Sequence, residues 1–146
     1  MLGLWSLVRF LHVLGAIFWV GGQLTVSALI LPIVRRQLAG PDRTSLLHTV
    51  GMRLGVLTVV AFIPLQLVTG FALAWHKGVT WASLAEPGYG RTLAAKLVAF
   101  ALVMLAAGMH GWANGNGRRT LARALAISSL IGSLVVVLLA TALPVS

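Results

Sequence analysis

Four long apolar runs constrain this chain more than anything else in it. Within the 146 residues they extend over about 4–34, 54–75, 92–112 and 121–143. Each reaches the roughly 20 residues that a helix needs to cross a bilayer. The backbone of such a run has no water to bond to in lipid, so it must satisfy itself as helix. The expected fold is therefore all-α: a polytopic membrane protein with four transmembrane helices. They should form one up-down-up-down bundle, a single domain over 1–146. Composition points the same way. Charged residues make up 9% of the chain and mean hydropathy is +0.99, whereas a soluble domain carries about 25% charged residues. The first run is long enough to tilt or to project from the bilayer. It has one early charge, Arg9, and continues past Ser27-Ala28, which argues against a cleaved signal peptide.

The net charge is +9, with Asp42 and Glu86 the only acids. The basic residues lie between apolar runs rather than along one stripe, so no nucleic-acid partner is expected. The partner is the lipid bilayer. The first loop holds Arg35, Arg36, Arg43 and Arg53, and the third holds Arg118, Arg119 and Arg123. Positive loops stay in the cytoplasm. Loops one and three should lie inside, and loop two and both termini outside, in a bacterial-type inner (plasma) membrane. Trp5, Trp75 and Trp81 then fall at the outer interface and Trp112 at the inner one. Turn signals at Gly40-Pro41, Pro87-Gly88 and Asn114-Gly115-Asn116-Gly117 separate the helices. Pro64 is expected to kink helix two.

Ionisable residues inside such helices face the interior and find partners. His12 lies about two turns into helix one from the outer side, His76 ends helix two, and Lys96 lies about one turn into helix three. These three fall at one level. Neutral imidazole ligates haem iron and copper. A b-type haem would use His12 as axial ligand, with His76 or Lys96 as second ligand or support. Gly15 and Ala16 would open space beside the His12 ring, and Arg9, Lys77 and Arg91 would neutralise the propionates. In the competing reading the two histidines are separate interfacial residues and Lys96 snorkels outward.

The inner side carries His48, Met52 and His110. Histidine with thioether sulfur suits Cu(I). His48 and Met52 share a helix face if helix two begins early. The glycines, among them Gly51 and Gly55 at small-xxx-small spacing, permit close packing within the bundle or in a homodimer. Gln66 and Thr69 are placed to bond across helices or support a site. The chain has no cysteine, which excludes disulfides, thiolate metal sites and covalent haem attachment. No catalytic triad, P-loop or dinucleotide fingerprint occurs, and no acid pair lies in the apolar runs.

Several stretches resemble a known family. Leu11-His12-Val13-Leu14-Gly15-Ala16-Ile17-Phe18-Trp19-Val20-Gly21-Gly22, the helix-two start around Arg53, Val68-Thr69-Gly70-Phe71 and Gly90-Arg91-Thr92-Leu93-Ala94-Ala95-Lys96-Leu97 resemble the membrane domain of the copper-resistance protein D (CopD) family. The same frame, with His110-Gly111-Trp112, is similar to HemJ-type protoporphyrinogen oxidases. The resemblance covers most of helices one to three. It implies either copper uptake with a copper-handling partner, or b-type haem with a redox partner. In the HemJ frame it singles out His12 and Lys96. Copper in the CopD manner would meet His12 and His76 outside, with His48, Met52 and His110 on the inner path. A HemJ-like oxidase and a cofactor-free assembly subunit complete the set of readings.

Overall fold

Proline placement shapes the first two helices more than hydropathy does. The computed structural model describes residues 3–143, and no strand occurs among them. Four helices are long and apolar enough to cross a membrane: α1 (Leu4–Gln37), α2 (Gly40–His76), α3 (Tyr89–Gly115) and α4 (Arg119–Thr141). The chain is all-α and multi-pass. Apart from α1's start at Leu4, the helix limits differ from the apolar limits. The largest difference is in α2, which begins at Gly40 and not near Leu54. Nothing in the arginine-bearing stretch breaks a helix. Pro41 occupies the first turn, where its missing N–H has no helical acceptor to lose, and Asp42 complements the helix dipole. Hydropathy marks where a helix meets lipid, while hydrogen bonding decides where it starts. The first loop is reduced to Leu38 and Ala39.

Both helices widen immediately before a proline. The turn Val26–Ile30 in α1 is π-helical, with the Leu31 N–H bonded to the Val26 carbonyl ahead of Pro32. In α2 the turn Thr58–Phe62 is π-helical, with Ile63 N–H bonded to the Thr58 carbonyl ahead of Pro64. A proline ring collides with the carbonyl four residues back, and a wider turn moves that carbonyl aside. At Pro64, where a kink is expected, the helix carries this π turn without a break, and Pro32 repeats it.

The chain divides between Ala74 and Trp75 into two compact units. In the first, α1 and α2 run antiparallel: His12 meets Thr69, Trp19 meets Phe62, and Gly22 faces Leu54. In the second, α3 and α4 run antiparallel across a turn at residues 116–118, where Gly117 takes φ 72°. Here His110 meets Ala122 and Val103 faces Gly132. The buried positions of this unit are small or branched: Gly90, Val103, Ala113, Ala122, Ser129 and Ser133. Lipid supplies no hydrophobic drive between helices, so close approach of small residues does the packing. The Ser133 hydroxyl donates to the Ser129 carbonyl and stays satisfied. Large apolar side chains such as Phe10, Ile17, Val60, Phe71, Leu102 and Leu138 are exposed, as suits helices bathed in lipid.

Candidate functional site

The site is built on one face of α1. His12, Gly15, Trp19 and Gly22 recur at i, i+3, i+7 and i+10, a seam spacing that keeps one face on a neighbouring helix. Opposite them stand Thr69, Gly70, Gln66, Phe62 and Leu54 of α2. His12 is half-buried, while Thr69 and Gln66 are buried.

His12 Nδ1 lies 2.8 Å from Thr69 Oγ1. The Thr69 hydroxyl has one proton, and it donates that proton to the Leu65 carbonyl one turn back. Thr69 is therefore the acceptor and His12 Nδ1–H the donor. This hydrogen-bond direction assigns the tautomer: in the neutral ring Nε2 is the basic nitrogen. The Gln66 amide donates to the His12 backbone carbonyl at 2.7 Å, so both the ring and the backbone of His12 are tied to α2.

The glycines divide this work differently from the expectation. Gly15 does not open space beside the imidazole. The Gln66 amide and the Leu65 side chain fill the place a Cβ would take there. The glycine beside the ring is Gly70, where a Cβ would stand 3.2 Å from His12 Cε1. Two turns along the seam from His12, Trp19 and Phe62 stack with centroids 4.9 Å apart and planes 11° apart. The pairing of Trp19 with Phe62 and the role of Gly70 escaped the sequence reading. The i, i+3, i+7 spacing that starts at His12 was the signal for the seam.

Arg9, His48 and Met52 belong with His12 to the first unit; His76, Lys77, Arg91, Lys96 and His110 belong to the second. Arg9 precedes His12 by three residues and is exposed. His48 and Met52 lie within α2 on one exposed face, because the helix does start early. In the second unit His76 is exposed at the end of α2, and Lys96 is half-buried on α3. Lys77 Nζ lies 5.0 Å from the Tyr89 ring centroid, a cation–π contact. Arg91 Nε donates to the Ala85 carbonyl at 3.2 Å. His110 Nδ1 donates to the Ala122 carbonyl at 2.8 Å. Arg118 lies 5.0 Å from the Trp112 ring centroid. A Cβ at Gly51 or Gly55, the small-xxx-small pair, would meet nothing within 4 Å, so neither marks a close approach within the hairpin.

The connection from α2 to α3 is ordered by its own polar groups. Thr80 N–H donates to Ser83 Oγ at 2.9 Å, and Ser83 N–H donates to Thr80 Oγ1 at 3.2 Å. A Cβ at Gly90 would strike the Ser83 carbonyl, so the turn closes on α3 only because residue 90 is glycine. Among the described residues no three His, Asp or Glu side chains gather into a metal-ligand group. No family model, curated protein or solved structure matches the chain.

An imidazole whose Nδ1–H is fixed by an acceptor is the arrangement that metal-ligating histidines adopt, since the outer bond sets the tautomer and aims Nε2. The donor set around His12 thus fits a histidine-ligated iron or copper, with haem needing fewer protein ligands than a bare metal ion.

Proposed function

We propose that this chain is a membrane haem protein of the CopD and HemJ type, serving electron transfer with His12 as an axial ligand. The observation that carries the reading is the relay from His12 Nδ1–H to Thr69 and on to the Leu65 carbonyl. Bound haem would supply one-electron redox chemistry. Thr69 holds the ring tautomer and Gln66 holds the backbone beneath it. Gly70 keeps the Cε1 edge of the ring from being crowded by a side chain. Arg9, on the same side of α1 as His12, is the propionate partner within this unit. The resemblance of Leu11–Gly22 and Gly90–Leu97 to those families supports the assignment. The arginines flanking the first connection (Arg35, Arg36, Arg43 and Arg53) and the third (Arg118, Arg119 and Arg123) support a bacterial inner membrane with both termini outside.

The test is a visible spectrum of the detergent-purified protein, expressed with ample haem supply, before and after dithionite. A Soret band with sharp reduced α and β bands is expected, and His12→Ala should abolish them. A colourless protein that holds copper by elemental analysis would replace haem with copper handling. A colourless protein free of copper would leave a cofactor-free assembly role.

A further inference from the structure

A second feature of the first unit concerns lipid. Between α1 and α2 an open groove of about 420 Å³ runs along Ile17, Gly21, Gly22, Val50, Leu54 and Leu57. Ligand clefts span about 300–1,000 Å³, so the volume is of ligand size, and its walls are apolar. A Cβ at Gly21 would meet nothing within 4 Å. The place beside Gly21 is therefore open, whereas a Cβ at Gly22 would already touch Leu54 at 3.4 Å.

Its depth is set by helix length. α1 and α2 have 34 and 37 residues, which at 1.5 Å per residue far exceeds a hydrocarbon core of about 30 Å. Both helices therefore tilt or project past the hydrocarbon, and the arginines of this unit cluster toward the end where α1 turns into α2. Arg53 marks the level, since the uninterrupted apolar run of α2 begins at Leu54. It is exposed, and its place next to Leu54 and three residues after Val50 puts it at the edge of the groove wall. Four arginines, Arg35, Arg36, Arg43 and Arg53, stand in this part of the unit against one acid, Asp42. Arginine binds phosphate through paired N–H donors.

We infer that this groove seats one acyl chain of an anionic phospholipid whose headgroup phosphate is held by Arg53. The charge excess selects the headgroup, and the part of the groove on the apolar side of Arg53, along Ile17, Gly21, Leu54 and Leu57, receives the chain.

Native mass spectrometry of the detergent-purified protein tests this with dioleoylphosphatidylglycerol and dioleoylphosphatidylcholine. One phosphatidylglycerol should be retained per chain, at least about fivefold over phosphatidylcholine. Arg53→Gln should bring the two lipids to parity, and Arg53→Lys should keep part of the preference. Gly21→Leu, which fills the groove, should remove the phosphatidylglycerol adduct. Leu57→Trp fills it from α2 and serves if Gly21→Leu does not fold, with helical circular dichroism as the check. Equal retention of the two lipids by the unaltered chain would overturn the inference. So would an adduct that survives both groove-filling changes, or displacement of the lipid by millimolar inorganic phosphate alone.

Discussion

The His12 imidazole donates to the Thr69 hydroxyl at 2.8 Å, and Thr69 passes its own proton to the Leu65 carbonyl. The chain of donors has one direction, so the ring tautomer is set by the backbone of α2. Thr69→Val keeps the shape of the side chain and removes the acceptor. Interhelical hydrogen bonds in membranes contribute about 0.6 kcal/mol and at most about 1.7. A loss of that size is expected in the reversible unfolding of the protein in mixed micelles. The same change should shift the reduced α band and the midpoint potential of the haem form, whereas Thr69→Ser should restore both. An unaltered spectrum in Thr69→Val would remove Thr69 from the site.

Gly15 and Gln66 form the second tie between α1 and α2. A methyl at residue 15 would meet the Gln66 amide and Leu65. Alanine raises helix propensity by about 1 kcal/mol over glycine, yet overpacking costs about 1–3 kcal/mol. Gly15→Ala should therefore destabilise the hairpin despite its better propensity. Combining it with Gln66→Ala should recover part of that loss, because the amide would no longer occupy the space. A double-mutant cycle in mixed micelles checks this, and strict additivity would show that the two residues do not share that space.

The helices were legible because apolar length and turn residues act locally. The limits of α2 were not, since the stretch from Gly40 to Arg53 is polar enough to look like a loop while containing nothing that breaks a helix. His12 was legible as an ionisable residue in an apolar run. Its partner was half legible: Thr69 and Gln66 were marked as polar residues able to cross between helices, but the register that pairs them with His12 is a tertiary fact. The π turns before Pro32 and Pro64 shift that register, and a uniform 3.6-residue reading does not contain them. Gly70 appears in the sequence only as part of the Val68-Thr69-Gly70-Phe71 stretch, and only the paired helices show which side chain it accommodates.

In the second unit His110 ties α3 to α4 through Nδ1–H to the Ala122 carbonyl, 2.8 Å away. The carbonyl can only accept, so Nδ1 is the donor. His110→Leu should lower unfolding stability by about 1 kcal/mol, the usual net worth of such a bond. His110→Asn, whose side-chain amide offers a donor at a similar reach, should lose less. Equal losses in the two variants would show that packing of the ring, not the hydrogen bond, holds this turn.

The connection between α2 and α3 makes the sharpest prediction about glycine. Gly90 is buried, and a Cβ there would strike the Ser83 backbone carbonyl. That carbonyl has little freedom to retreat. Thr80 and Ser83 exchange N–H-to-hydroxyl bonds on one side of it, and Arg91 bonds to the Ala85 and Glu86 carbonyls on the other. Gly90→Ala must displace the turn as a unit, at an expected cost of about 1–3 kcal/mol. Hydrogen exchange should quicken at the Ser83 amide and its neighbours, while the amides around His110 and Ala122 keep their protection. Gly108→Ala is the control on the same helix, because a Cβ there meets nothing within 4 Å. It should be neutral or stabilising by up to about 1 kcal/mol through propensity alone. If both substitutions behave alike, the close approach of Gly90 to Ser83 does not hold in solution.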